Sequence, residues 1–346
     1  MHRFLMGISV LVICSATFVA CAASLNDNQM VDFLAQSLCV DALGKPTSQI
    51  PIIDNCTSMR PQRADDRAVY QKHDWPDQRV YPQYFLTGHQ ASDSVLANPK
   101  GRPVIEQTQD FGGDRNHQFG VMDANDGGQA VLLVDGWASA VMTQDAGAGV
   151  QWFIGNGCRR SVEDGRRSWV FFNEAVPTGM WADTVTNLGL GRSASACPKQ
   201  FNLAYTRFRR EQVLFPFRLV NGNNVTMTSR ALDVIITDHF GGGAAANPAS
   251  NPSLERFFFA KHLGWVRWEA WKNVEYPAFL ARRAAMLGQA EALQAGRRCP
   301  AVAYSTPPGP GWYQVDCRMW TTIVRVTKPW SVRDYHWPVF QNADWR

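Results

Sequence analysis

The sequence predicts an all-β protein, an antiparallel β-sandwich of jelly-roll type with a short N-terminal helix and one later helical insertion. Three observations carry that expectation. From residue 104 to about 271, short apolar or aromatic runs recur between Gly, Asn and Asp turns, the punctuation of antiparallel strands. The connections Asp126-Gly127-Gly128 and Asn221-Gly222-Asn223-Asn224 carry residues that tolerate positive φ. Thirteen Trp and nineteen Phe supply bulky side chains for a wide core.

Asn26 and Asp27 can cap a helix running to about Leu38, with Met30, Phe33, Leu34 and Leu38 on one face. Residues 61–103 read as polar and irregular, since Trp75-Pro76 and Tyr81-Pro82 interrupt any regular element. Strands are then expected at 103–110, 117–122, 130–134, 138–144, 150–154, 168–173, 204–208, 213–219, 231–237, 256–260 and 265–271. Residues 241–252, rich in Gly, Ala, Asn and Pro, read as a long surface loop. A helix is expected over 276–295, where Ala, Leu and Arg dominate and Gly296 can end it. After the turn Pro307-Pro308-Gly309-Pro310-Gly311 come two more strands, 313–318 and 321–326. The chain thus divides into a leader (1–22), an N-terminal helix with an irregular segment (23–103), and a β-sandwich domain with a helical insertion (104–346). Its texture resembles exported concanavalin-like sandwiches in general, without the motifs that define that family.

Residues 1–22 read as a secretory signal peptide: Arg3, an apolar core from Phe4, and the exit Ala20-Cys21-Ala22. Gly7, Ser9, Cys14, Ser15 and Thr17 break up the run and argue against an uncleaved membrane anchor. Cys21 after Phe18-Val19-Ala20 offers a second outcome, a lipid anchor in the cell envelope, against which Phe18 weighs. No later segment is long and apolar enough to span a bilayer, so the expected location is secreted or periplasmic. Losing the leader removes Cys14 and Cys21 and leaves six cysteines, an even set that predicts a disulfide framework in an oxidising compartment. The expected pairs are Cys39 with Cys56, Cys158 with Cys197, and Cys299 with Cys317, because each brackets a turn-rich segment. A zinc site lacks both a Cys-x-x-Cys and a clustered His spacing. The formal net charge of +4 falls by one with Arg3 and is too weak to argue for a nucleic-acid partner.

The sharpest signal lies in residues 255–271, Glu-Arg-Phe-Phe-Phe-Ala-Lys-His-Leu-Gly-Trp-Val-Arg-Trp-Glu-Ala-Trp. They predict a β-hairpin turning at His262-Leu263, with Lys261 opposite Gly264, Phe257 opposite Trp268 and Arg256 opposite Glu269. Alternation puts Phe257, Phe259, Val266 and Trp268 on a core face, and Arg256, Phe258, Trp265, Arg267, Glu269 and Trp271 on the other. Indoles stack on sugar rings, while Arg and Glu hydrogen-bond hydroxyls or carboxylates. The competing expectation is an ordinary Arg256–Glu269 cross-strand pair, with the indoles covered by the helix at 276–295.

Asp238-His239 ends an apolar strand just before the 241–252 loop, and a His beside a carboxylate can serve as a base or metal ligand. His239 is expected to share a face with Arg256 and Glu269. Together these residues predict an exported carbohydrate-active protein that binds a polysaccharide or oligosaccharide and, as an enzyme, cleaves it. The alternative is a non-catalytic carbohydrate-binding or structural cell-envelope protein. A hydrolase would use Glu269 and Asp238 as its carboxylate pair, with Glu255 and Asp145 in reserve. A lyase would use His239 as base beside a uronate neutralised by Arg256 or Arg267. Trp265 and Trp271 would stack on the sugar. Residues 143–145, Gln151 and Trp152 add polar groups at strand edges, and Arg207, Arg209 and Arg210, alternating in part with Phe208, suit an anionic polysaccharide. No cofactor is expected. The acidic turns at 110–117 and 123–128 leave room for a structural Ca²⁺ but match no metal-loop spacing. There is no Gly-x-Ser-x-Gly, phosphate loop or dinucleotide fingerprint.

Overall fold

A computed structural model describes residues 24–63, 66–73, 75, 84–90, 104–110, 126–145, 148–155, 159–160, 169–191, 197–241, 250–296 and 299–330. The chain is mostly β, with 55% of it in strands and 13% in helices. The leader, Cys21, Cys158, the strand expected at 117–122 and most of the two acidic turns lie outside the described residues.

Helix α1 (Asp27–Leu34) begins at Asn26. The Asn26 side chain accepts from the Gln29 backbone N–H, and the Gln29 side chain accepts from the Asn26 N–H, which satisfies two donors that a helix start leaves orphaned. The helix buries Met30, Val31, Phe33 and Leu34. It stops short of Leu38, because residues from Ser37 onward pair as a strand, β1 (Ser37–Val40), with β2 (Ser58–Pro61). The Cys39–Cys56 disulfide joins this small sheet to its connecting loop.

Fifteen strands form the main sheet. A first meander runs through β3 (Ala68–His73), β4 (Tyr84–Gln90), β5 (Val104–Asp110), β6 (Asp126–Val134), β7 (Trp137–Asp145) and β8 (Ala148–Ile154), with β9 (Arg159–Arg160) on β8 and β10 (Trp169–Asn173) on β7. After β11 (Ala182–Gly191), a second meander runs through β12 (Asn202–Asn221), β13 (Asn224–Gly241), β14 (Ser253–Ala260), β15 (Gly264–Asn273) and β16 (Trp312–Met319). The last strand, β17 (Thr322–Trp330), pairs parallel to β12 and antiparallel to β3. Since β13 occupies one edge of β12, both β11 and β17 lie along its other edge, one near each end. The sheet therefore closes into a ring through β12. A jelly roll interleaves its strands between two sheets, whereas most neighbours here are consecutive in the chain.

Several boundaries differ from the sequence expectation for identifiable reasons. The strands expected at 204–208 and 213–219 are one element, β12, because its polar middle is satisfied by ion pairs: Arg209 with Glu211, and Arg210 with Asp233 at 2.6 Å. The segment 61–103, expected to be irregular because of Trp75-Pro76 and Tyr81-Pro82, holds β3 and β4, which lie before and after those two pairs, and β3 carries Lys72. That side chain is fully buried, with Nζ donating to the carbonyls of Leu263 and Trp265, and burial holds its pKa well below the usual lysine range. The helix expected over 276–295 opens as a 3-10 turn at Pro277–Arg282 and continues as α2 (Arg283–Ala295), which packs on β16 and buries Met286 and Ala290.

The β14–β15 hairpin keeps the expected Phe257↔Trp268 and Arg256↔Glu269 partners. Nearer the turn the register changes: Phe259 faces Trp265 and Ala260 faces Gly264, with Val266 as an extra residue. This bulge corrects the face assignment, since one inserted residue moves its neighbours to the opposite face. Trp265 joins Phe257 and Phe259, while Val266 joins Phe258. The turn itself holds His262 at φ 67 and Gly264 at φ 66. A Cβ on Gly264 would stand 3.1 Å from the Leu34 carbonyl oxygen, so the end of α1 seats directly on the turn. His262 N–H donates to the Asp32 carbonyl (2.6 Å), and Ser37 N–H to the His262 carbonyl (2.9 Å).

Two apolar clusters flank β12–β15. One gathers α1, Phe171, Phe172, Phe208, Phe257, Phe259, Trp265 and Trp320. The other gathers Val213, Phe215, Phe217, Val234, Ile236, Phe258, Val266 and Met319. Cys299–Cys317 is formed as expected, and Cys197 is also disulfide-bonded. These bonds fit an oxidising, extracytoplasmic environment. Among the described residues no helix is long and apolar enough to cross a membrane, and no group of three His, Cys, Asp or Glu could hold a metal ion.

Candidate functional site: a charge ladder beneath a strap

Strand alternation and antiparallel register bring four charged residues into one row. Arg207 on β12 faces Asp238 on β13, Asp238 faces Arg256 on β14, and Arg256 faces Glu269 on β15. The signs alternate across four strands. Asp238 receives Arg207 through Nε (2.8 Å) and Arg256 through Nε (2.6 Å) and Nη2 (3.1 Å). Its carboxylate is fully buried, yet the Arg256 and Arg207 guanidinium groups outweigh desolvation and hold its pKa below the usual carboxylate range. Glu269, also fully buried, accepts from Arg267 Nε (2.6 Å), Ser305 Oγ (2.5 Å) and Trp271 Nε1 (2.8 Å), with Arg256 Nη1 at 3.8 Å. Trp271 belongs to an apolar row beside the ladder with Tyr205, Phe240, Leu254 and Trp312.

The ladder is roofed by residues 299–306, a segment that starts at the Cys299–Cys317 bond. Arg256 Nη1 donates to the carbonyls of Tyr304 (2.6 Å) and Thr306 (2.8 Å). Arg267 donates through Nη1 to the Pro300 carbonyl (2.8 Å) and through Nη2 to Ser305 Oγ (3.0 Å). Both guanidinium groups are therefore consumed by carboxylates on one side and by this strap on the other.

Outward from Arg207 the same face becomes partly exposed, the Arg207, Arg209 and Glu211 side chains being 16%, 15% and 11% exposed. Arg207 lies over the Trp181 ring at 4.4 Å, and Arg209 lies between Trp181 (5.2 Å) and Tyr304 (4.7 Å). Glu211 accepts from Arg209 Nε (2.7 Å) and from the Tyr304 hydroxyl (2.8 Å), a bond that raises the Tyr304 pKa. At the other end the Tyr205 hydroxyl donates to exposed Asp183 at 3.1 Å. Burial, then the charge of Asp183, pushes Tyr205 up to about 12. Indole, guanidinium and phenol thus present edges and donors along one strip, with two carboxylates as acceptors.

The residues expected to form the site divide between two faces. Asp238, Arg256, Arg267, Glu269 and Trp271 share the ladder face, as the hydrolase pair Glu269 and Asp238 requires. Both carboxylates are fully buried, and the two guanidinium groups hold that of Asp238 below the usual carboxylate range. His239 and Trp265 are on the opposite face, which corrects their expected place beside Arg256. His239 packs against Trp169, Phe171 and Phe257 at 4.6, 5.1 and 5.0 Å between ring centroids. Burial pushes its pKa down to about 3, against the pull of Asp238 and the Val170 backbone. Trp265 packs on Phe257, Phe259 and Trp320 and donates to the Arg267 carbonyl at 2.9 Å. Glu255 pairs with His239 in register and so lies on that second face too. Asp145 is the last residue of β7, outside the four strands that carry the ladder.

Sequence reasoning noted Arg207 and Arg209 as a basic run but missed Trp181, Glu211, Tyr304 and Ser305. The i, i+2 spacing of Arg207, Arg209 and Glu211 was a readable sign of a shared strand face. Nothing local brings Tyr304 there. Comparison with known protein families, curated proteins and solved structures finds no match.

Proposed function

We propose that this is an exported, cell-envelope or secreted protein that binds a saccharide without cleaving it, on the strip of Trp181, Arg207, Arg209, Glu211 and Tyr304. The observation that carries the reading is the Trp181–Arg209–Tyr304 stack, partly exposed and pre-oriented by Glu211. Fixed aromatic edges accept the C–H faces of sugar rings, while oriented guanidinium and carboxylate groups hydrogen-bond hydroxyls. A non-catalytic role is favoured over hydrolysis or lysis because Asp238 is held ionised inside an ion pair and His239 is neutral inside an aromatic core. A general acid or base must reach its substrate.

The test is calorimetric titration of the mature, oxidised protein with alginate and with a neutral β-glucan, while reducing ends and ultraviolet absorbance are followed. Binding without new ends or absorbance supports the reading, and Trp181→Ala then weakens it about five- to tenfold, since such an aromatic contact contributes about 1–1.5 kcal/mol. New reducing ends would overturn the non-catalytic part. Silence with every polymer would remove the saccharide.

A further inference from the structure

We propose that the buried ladder is a clamp for the strap 299–306, so that Arg256 and Arg267 are positioning residues that set Tyr304 as one wall of the surface strip. For its ligand the inference rests on the binding reading above; the clamp itself does not.

The accounting of donors points this way. Arg256 is 2% exposed and Arg267 is 1% exposed. Burying a guanidinium is costly unless each donor finds an oriented acceptor. A carboxylate satisfies only one side of each fork. The other side is turned outward from the sheet, and there it meets three backbone carbonyls, of Pro300, Tyr304 and Thr306, and the Ser305 hydroxyl. Ser305 is held from both sides, since it also donates to Glu269. The strap buries the Val302 side chain in the apolar cluster on this face, and it also presents its backbone carbonyls to two arginines.

The consequence falls on Tyr304. Its backbone is left-handed at φ 67, a conformation that non-glycine residues seldom adopt without support from their surroundings. The two Arg256 contacts lie at its own carbonyl and that of Thr306, two residues on. They supply that support while the ring turns out over Arg209 and the hydroxyl reaches Glu211. The Cys299–Cys317 bond fixes only the start of the strap. Between that bond and Tyr304, the strap is held by the buried Val302 side chain and by Arg267 and Arg256. The charge ladder thereby transmits the position of β14 and β15 to a residue on the surface strip.

The test uses the full mature chain and two variants. Arg256→Lys keeps the charge beside Asp238 but lacks the fork that spans carboxylate and strap. Ser305→Ala removes the shared hydroxyl from a partly exposed position and leaves the buried charges in place. Hydrogen exchange of peptides covering 301–306 is compared with that of peptides from β13 and β15. The expected result is at least tenfold faster exchange in the strap for either variant, with the strand peptides unchanged in Ser305→Ala. Alginate affinity should fall about fivefold in Ser305→Ala, and this loss should vanish when the variant is combined with Tyr304→Ala, because the effect passes through that ring. Unchanged strap exchange in Ser305→Ala, or an affinity loss that persists without Tyr304, overturns the clamp. If the wild type binds no polymer, the binding reading fails alone, and strap exchange still decides the clamp.

Discussion

The two faces of β13 solve the burial of ionisable groups in opposite ways, one residue apart. Asp238 is ionised in a dry site because Arg207 and Arg256 surround it. His239, its chain neighbour, is uncharged because burial among Trp169, Phe171 and Phe257 strips the water that its charged form would need. Strand alternation sends them to opposite sides. The charged side is organised by geometry, the aromatic side by volume. It follows that the charged side should be intolerant of losing a single partner, and the aromatic side of losing bulk or gaining a proton.

The largest effect should come from breaking the ladder. Asp238→Ala leaves a fully buried Arg256 without its carboxylate and is expected to destabilise by about 3–5 kcal/mol in chemical denaturation. A loss below 1 kcal/mol would mean that strap carbonyls alone satisfy Arg256. On the other face, Phe259→Ala opens a cavity in the aromatic cluster, which should destabilise by about 3–4 kcal/mol while leaving strap exchange unchanged. The two faces would then be separable, one acting on the strap and the other on the core.

Acid titration sharpens the contrast. His239 is neutral in both states at high pH; below about 6.5 the unfolded chain takes up a proton that the folded chain refuses down to about 3. Stability should therefore fall by about 1.4 kcal/mol for each pH unit across that window. Asp238, whose folded pKa is depressed, contributes stability above the unfolded carboxylate pKa and loses it only at still lower pH. Replacing His239 with Phe should flatten the decline that begins at pH 6.5 and leave the loss that begins below the unfolded carboxylate value of 3.8, as followed by denaturation midpoints from pH 7 to about 2. The smallest effect belongs to a pair that only resembles the ladder. Arg210–Asp233 is 28% and 21% exposed, and Asp233→Asn should change stability by less than about 1 kcal/mol because water screens the pair.

Much of this arrangement was legible in residues 255–271. Alternation predicted that Arg256 and Glu269 would meet across a hairpin, and they do. The same reading misplaced Trp265, because a single extra residue at Val266 reverses the faces near the turn, and nothing in an apolar run marks where a bulge falls. His239 was grouped with Arg256 although it adjoins Asp238 in an extended strand, where neighbours must diverge. The indoles were expected either to bind sugar or to lie beneath a helix. Neither expectation foresaw that the strap 299–306 would roof the face.

By itself, then, the sequence determined the strand texture, the helix cap at Asn26, the two described disulfide pairs and the hairpin partners Phe257–Trp268 and Arg256–Glu269. All of these depend on residues close in the chain or on the twofold period of a strand. Only the tertiary structure decided that β12 is one continuous strand, that β3 carries a buried lysine, and that Arg207, Asp238, Arg256 and Glu269 form one row. It also decided that Tyr304 closes over Arg209, nearly a hundred residues away in the chain. Such placements arise from register between distant strands and from the need to satisfy every buried donor, and neither quantity is written in a local window of residues.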